Sequence, residues 1–405
     1  MSKIEPRTLK GFPDYSPAEQ VARQRMFAKI QGVFERFGFL PLSTPALEYK
    51  DILMGKYGDE EKLIYSFKDN GERDVALRYD LTVPLARYVA QNQGKLVFPF
   101  KRYQIAPVWR AENTQKGRLR EFYQCDVDVV GTTSPLADAE VMACLCKALE
   151  TVGMKNYLLR INDRSVLAGF SAGTIRAIDK FDKIGVEGVV KELEAAGTAA
   201  SEIDEVKKLL EPRARAEVPQ KVDQLINILL QQGLPEQNVV FDPTIARGLD
   251  YYTSTVFEIK IKDKPEFGSI AGGGRYDNLV DQFSEKSLPA VGGSIGVDRL
   301  LEAMSEMGLA KAGGTLQVLV VNQDPALEKD YVALAAELRA SGISTELYYE
   351  PAKLDKQFKY AESKGIVNAV IMGQAEVARG TVQIKNLATR EQREVARVNV
   401  ASELK

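Results

Sequence analysis

Apolar residues recur at helical spacing near the start of the chain, where Met26, Phe27, Ile30, Val33, Phe34 and Phe37 share one face. Ser16-Pro17-Ala18-Glu19 ahead of them has the form of a capping box with proline in the first turn, and Gly38 stands where such a helix stops. An extended stretch, Phe39 to Leu42, leads into Thr44-Pro45. From about 75 to 130 the pattern turns strand-like, broken by a helix near Pro84 to Gln93. Two runs there alternate. Arg102 to Arg110 sets Tyr103, Ile105 and Trp109 against Arg102, Gln104 and Arg110. Arg120 to Val130 sets Tyr123, Cys125, Val127 and Val129 against Arg120, Phe122, Gln124, Asp126 and Asp128. Successive strand side chains face opposite ways, so the runs describe a sheet with one apolar face on a core and one charged face left for other work. The loop between them, Ala111 to Leu119, is rich in charge.

Residues 134–152 read as a helix, and a Lys/Glu/Leu-rich stretch of about 162–235 reads as a helical insertion. Strands return at Val239 to Phe241 and Tyr251 to Ile261, followed by the glycine cluster Ala271-Gly272-Gly273-Gly274-Arg275-Tyr276-Asp277. Val291 to Gly296 then leads into a helix at Asp298-Arg299-Leu300. After linker-like residues 306–315 the grammar changes. Strands at 318–321, 345–349 and 369–372 alternate with helices at about 326–340 and 354–364, the signature of parallel pairing in a small α/β domain. The spacing thus predicts one domain over 1–315 and a second over 316–405.

Composition narrows the chemistry. The 405 residues contain no histidine, which excludes every His-based triad, His metal ligand and His general base. Catalysis must run on carboxylates, Arg, Lys, Tyr, backbone groups or a bound ion. Three cysteines are too few for a disulfide framework. The 54 basic and 56 acidic residues nearly cancel, so nucleic acid would meet a local patch rather than a global field. Neither a membrane span nor a secretory leader is expected, which points to a cytoplasmic protein.

Four segments stand out. The charged face from Arg102 to Asp128 could be a solvated sheet face, but Phe122 among its charges suits stacking on a base, and Arg110 suits clamping a phosphate. Arg247-Gly248-Leu249-Asp250-Tyr251-Tyr252 is more than a turn into a strand, since paired tyrosines offer rigid, directional hydroxyls. The triple glycine at 272–274 is by itself more often a tight turn than a ligand cradle. Arg299 near a helix start opposes the helix dipole, a local cost that hints at a role.

Together these residues closely resemble the histidyl-tRNA synthetases, a family of class II aminoacyl-tRNA synthetases. Phe37-Gly38-Phe39 through Thr44-Pro45-Ala46-Leu47-Glu48 is similar to motif 1 of that class, the dimer segment. Trp109 to Glu112 with Gly117 to Phe122 is similar to motif 2, and Gly296 to Arg299 to motif 3, with Asp298 where the class usually has Glu. Leu77 to Thr82, Arg247 to Tyr252 and Gly273 to Asp277 resemble the segments that select histidine.

The resemblance implies an α+β fold: an antiparallel six-stranded sheet with flanking helices, a helical insertion and a C-terminal α/β anticodon-binding domain. It implies ATP and Mg²⁺ as requirements and histidine and tRNA(His) as partners, in a homodimer, with no metal ligand assigned to the chain itself. Arg110 would hold the α-phosphate, Glu112 the adenine amino group, Phe122 the adenine ring and Arg299 the γ-phosphate. Arg247 would be the cation beside the reacting carboxylate. Asp80, Thr82 and Gln124 would hold the α-amino group of histidine, while Asp128, Tyr252 and Tyr276 would read its imidazole. Asn113, Gln115 and Arg118 fall in the loop that meets the tRNA acceptor end, and Asn113, where many bacterial relatives have arginine, implies altered dependence on the extra 5′ guanosine of tRNA(His). The alternative is a non-catalytic paralogue, either a regulatory subunit of ATP phosphoribosyltransferase or a sensor of uncharged tRNA. The segment from 316 onward and the retention of Arg110, Arg247 and Arg299 together speak against it.

Overall fold

The computed structural model describes residues 3–114, 117–211, 215–246, 251–309 and 316–404. Two compact units emerge, Met1–Asp14 with Arg25–Ala310, and Tyr15–Gln24 with Lys311–Lys405.

The first helix, Pro17–Arg36, begins with the expected capping box: Ser16 N donates to Glu19 Oε2 at 2.7 Å and Glu19 N to Ser16 Oγ at 3.4 Å. It ends at Gly38, whose φ of +79° lets Phe39 N return to Phe34 O. The larger unit is built on an eight-stranded sheet. Six central strands pair antiparallel in the order Phe100–Trp109, Glu121–Val130, Ala290–Gly296, Ser269–Arg275, Thr255–Ile261, Tyr157–Asp163. A short parallel strand caps each edge, Leu40–Pro41 beside Phe100–Trp109 and Val239–Phe241 beside Tyr157–Asp163. The expected six-stranded antiparallel sheet is therefore present, lengthened by two edge strands.

Its apolar face carries the core. Cys125, Val127 and Val129 are buried with Phe257, Ile259, Val291 and Ile295 and with the helix Pro135–Val152. That helix is capped by Ser134 and stopped by Gly153 at φ +107°. The opposite face, with Gln124, Asp126 and Asp128 on one strand and Gly292, Ser294 and Gly296 directly across, is polar and largely covered. Helix Thr82–Asn92 and a three-stranded sheet (Leu47–Tyr49, Asp74–Leu77, Ser66–Lys68) belong to a second core. Helices Ala172–Ile178, Phe181–Ala195, Ala200–Leu210 and Gln220–Gln231 lie between the sheet strands Tyr157–Asp163 and Val239–Phe241, within the stretch read as an insertion.

The triple glycine is not a turn. Gly272 to Gly274 lie inside the strand Ser269–Arg275, where a Cβ on Gly273 would overlap the backbone of Gly292 and Gly293 and the Phe257 ring. The close approach comes from the neighbouring strand, and only glycine fits it.

The smaller unit holds a five-stranded sheet ordered Thr345–Leu347, Val318–Val320, Asn368–Ile371, Thr381–Asn386, Gln392–Ala396. The first three strands are parallel, as the alternation predicted. The last two add an antiparallel hairpin that the pattern did not reveal.

Candidate active site

Two adjoining hollows open on the polar side of the large sheet. The larger, about 600 Å³ of free space, is lined by Arg110, Glu112, Gly117, Arg118, Phe122, Gln124, Ser269, Gly296, Asp298 and Arg299. The smaller, about 290 Å³, is lined by Asp80, Thr82, Gln124, Asp126, Tyr251, Tyr252, Gly272, Tyr276, Gly292, Gly293 and Ser294. Gln124 belongs to both.

The large cleft is a place for anions. Arg110 Nε donates to Tyr79 O at 3.1 Å, and its guanidinium lies 4.3 Å from the Tyr79 ring centre. Burial opposes its charge, but Tyr79, Asp80, Glu112 and Glu60 outweigh it and hold the proton more tightly than usual. Arg299 enters from the helix Val297–Glu306, with Nη1 fixed on Ser269 O at 2.6 Å. Burial, then the positive charge of Arg118, pushes Arg299 below its ordinary value, with Arg110 adding to the effect. An anion between these groups would relieve that repulsion. Asp298 Oδ2 accepts from Tyr123 N at 2.8 Å, so the shorter acid in the third motif ties the helix start to the sheet. Gly117, at φ +65°, lies so close to Arg299 and Glu302 that a side chain there would crowd both. Arg118 is ion-paired with Glu112 and lines this cleft although its side chain is, like that of Asn113, exposed. Of the residues assigned to the tRNA-facing loop, Arg118 thus borders this cleft; Gln115 lies outside the described residues, as does Arg247.

The small pocket has the opposite sign. Asp80, nearly inaccessible, accepts from Tyr57 Oη at 3.0 Å, Thr82 N at 3.1 Å, Val83 N at 3.0 Å and Tyr251 Oη at 2.9 Å. Burial first, and the nearby carboxylates next, push the Tyr57, Tyr251, Tyr252 and Tyr276 hydroxyls up, so all stay protonated donors. Tyr252 packs edge-on against Tyr251 with ring centres 5.1 Å apart. Asp128 is 1% exposed; it accepts from Tyr276 Oη at 2.5 Å and faces Arg102 Nη2 at 2.8 Å. Its carboxylate lies against Gly292 and Tyr276, two of the residues that line the pocket. Asp126, 3% exposed, lines the pocket itself. Next to Tyr276 in the chain, Arg275 is buried in ion pairs with Asp138 and Asp277.

The structure therefore gathers Arg110, Glu112, Phe122 and Arg299 in one cleft, and Asp80, Thr82, Gln124, Tyr252 and Tyr276 in the adjoining pocket. It adds Tyr251, Asp126 and Ser294, which the sequence reading did not assign. Asp126 shares a strand face with Gln124 and Asp128, so the two-residue period was the available signal.

A sheet of this topology with a cationic cleft opening into a carboxylate-lined pocket has the architecture of a class II aminoacyl-tRNA synthetase. The family model described as histidyl-tRNA synthetase matches residues 11–172 and 171–300, and an anticodon binding domain model matches 317–405. The chain belongs to the histidyl-tRNA synthetase family. It is 43% identical over 423 residues to a histidine–tRNA ligase of Rhodopirellula baltica, covering 97% of this chain and 96% of that one. It is 39% identical to a histidine–tRNA ligase of Clostridium tetani, covering 96% and 95%. Among solved structures, a histidyl-tRNA synthetase from Nostoc sp. PCC 7120 superposes with TM-score 0.88 at 33% identity over 99% of both chains. An S. aureus histidyl-tRNA synthetase shares the fold at TM-score 0.74 and 24% identity over the full length of both.

Proposed function

We infer that this protein is a histidine–tRNA ligase that activates histidine with ATP and transfers it to tRNA(His). The observation that carries the reading is the opposed charge of two hollows meeting at Gln124: arginines in one, carboxylates in the other. A triphosphate suits the first and an amino acid with a basic ring and an ammonium suits the second.

In this reading Phe122 stacks the adenine ring and Glu112 accepts from its amino group. Arg110 holds the α-phosphate and Arg299 the γ-phosphate. Asp80, Thr82 and Gln124 hold the ammonium of histidine, and Asp128, Tyr252 and Tyr276 read its ring. Arg247 sits beside the reacting carboxylate. That carboxylate attacks the α-phosphorus, the bond to the bridging oxygen breaks, and pyrophosphate leaves. Negative charge grows on phosphate oxygens, which fixed guanidinium groups stabilise without proton transfer. A ribose hydroxyl of the tRNA end then attacks the activated carbonyl and AMP departs, with an adenylate phosphate oxygen able to take the proton. No histidine side chain is needed for either step.

Among the described residues there is no group of three or more metal-ligating side chains. A magnesium ion carried by a nucleotide needs only one or two carboxylates besides the phosphates. In the cleft such an ion would be held by the phosphates, with Asp298 beside Arg299 the carboxylate at that end, and it would neutralise the departing pyrophosphate. Residues 1–315 would form the catalytic domain and 316–405 the anticodon-binding domain. Exposed Leu40, Leu47, Tyr49 and Phe67 support a homodimer joined through the motif 1 region. Among the described residues no helix is long and apolar enough to cross a membrane, in keeping with a cytoplasmic enzyme. Exposed Asn113 faces the tRNA acceptor end in this reading.

Attachment of labelled histidine to tRNA(His) by the purified chain tests the proposal. Wild-type protein charges the tRNA, and Arg247→Ala loses both charging and histidine-dependent pyrophosphate exchange. Absence of both activities in the wild type would favour a non-catalytic paralogue.

A further inference from the structure

Arg164 follows the outer strand Tyr157–Asp163 and lines neither hollow, yet its side chain reaches the chain that carries the pocket tyrosines. Its backbone N donates to Ser254 O at 3.0 Å, which already closes the ladder between that strand and Thr255–Ile261. Its guanidinium goes two residues further, where Nη1 donates to Tyr252 O at 2.9 Å. The turn has a separate anchor: Asp163 Oδ2 accepts from Ser254 Oγ at 3.0 Å and pairs with Lys221 Nζ of the helix Gln220–Gln231 at 2.7 Å. The guanidinium is therefore not needed to end the strands or to hold Ser254. A bond from a charged donor to a single carbonyl, at a residue that lines the small pocket, calls for another reason.

The partner of that carbonyl supplies it. Tyr252 O and Thr253 N belong to one rigid peptide group. Thr253 N donates to Arg275 O at 2.7 Å on the strand that leads to Tyr276, on the other side of the segment from Arg164. The 252–253 peptide is thus gripped at both ends, by Arg164 from the outer strand and by Arg275 from the inner one. A fixed peptide plane limits the backbone rotation at Tyr252 and so the direction in which its ring leaves the chain. That ring passes over Gly274, where a Cβ would come within 3.0 Å of Tyr252 Cδ1, and has little room to adjust.

We propose that Arg164 is a positioning residue for histidine recognition: by holding the 252–253 peptide it sets where the Tyr252 hydroxyl stands in the pocket. The inference rests on the histidine-activating function proposed above. Arg164 acts through Tyr252 and makes no contact with the substrate.

The test is pyrophosphate exchange with histidine and ATP varied in turn. In Arg164→Ala the KM for histidine rises about 10- to 100-fold while the KM for ATP stays within about twofold, the range of a lost hydrogen bond from a charged donor. Arg164→Lys keeps a charged donor and recovers part of that loss. In a Tyr252→Ala background the same Arg164→Ala change moves the histidine KM by less than about twofold, because the group it positions is gone. A histidine KM in Arg164→Ala equal to wild type, an equal rise for both substrates, or a rise undiminished in the Tyr252→Ala background overturns the proposal. Should Arg164→Ala fail to fold, Arg164→Lys carries the same comparison, with a histidine KM raised about threefold in the wild-type background and unchanged beside Tyr252→Ala. Equal effects of Arg164→Lys in the two backgrounds overturn the proposal as well. Histidine-dependent exchange by the wild type in the same assay shows that the parent function stands even then; its absence would strike that function instead.

Discussion

The guanidinium of Arg110, one residue past the strand Phe100–Trp109, lies 5.2 Å from the ring centre of Phe122 on the neighbouring strand. One side chain offers a fork for phosphate and the other a flat surface for a base, the two contacts that the proposed nucleotide site needs. Arg110→Lys keeps the charge but loses the fork. The expected outcome is a fall in kcat/KM for pyrophosphate exchange of about 100-fold or more. Phe122→Leu should raise the KM for ATP about tenfold, with histidine KM little changed. Steady-state exchange kinetics with each substrate varied in turn check both.

Asp126 makes stability depend on pH. Burial is the largest influence, lifting it to about 7; Asp128 and Asp80 add to the rise, while Arg102 and a hydrogen bond from Ser294 oppose it. Arg78 and Tyr252 also feel its charge. An unfolded aspartate titrates near 4, so between about 4 and 7 the folded chain binds a proton that the unfolded chain does not. Its contribution is therefore fully present below the lower value and is lost as pH rises through the upper one. Asp126→Asn should leave the melting temperature nearly unchanged at pH 4 and raise it at pH 8, by an amount on the order of 2–4 kcal/mol in unfolding free energy. Thermal melts at the two pH values check the sign.

Arg275 and Asp138 form a buried ion pair, with side chains 5% and 2% exposed. Removing one partner strands the other, so Asp138→Ala should lose about 3–5 kcal/mol of stability. Because Arg275 precedes Tyr276, the histidine KM should rise as well while the ATP KM holds. Denaturant unfolding together with exchange kinetics separates the two effects.

Gly292→Ala tests the pocket floor. The new methyl would overlap the Asp128 carboxylate and meet Val127 O at 3.0 Å. Displacement of Asp128 would break its contact with Tyr276, so histidine binding should weaken by about tenfold or more, with ATP binding spared. Calorimetric titration with each ligand measures this.

Much of the frame was legible in the chain. Ser16 to Glu19 and Gly38 mark the first helix because caps are local chemistry, and the paired strands 100–109 and 121–130 show in strict alternation because each has one buried face. What stayed hidden depends on neighbours distant in sequence. The glycines at 272–274 read as a turn because the backbone that crowds Gly273 comes from 292–293 on the adjacent strand. The surroundings of Asp128 could not be read from its spacing, since they come from Arg102 on the next strand and from Tyr276, 148 residues away. The same limit hid the pairing of Arg118 with Glu112 across the loop.

The most direct measurement is pyrophosphate exchange into ATP by the purified protein with each of the twenty amino acids supplied in turn. Opposed charges meeting at Gln124 predict rapid exchange with histidine alone, lost in Arg110→Ala and Arg299→Ala. Exchange driven by another amino acid, or histidine-driven exchange that survives loss of both arginines, would contradict the account.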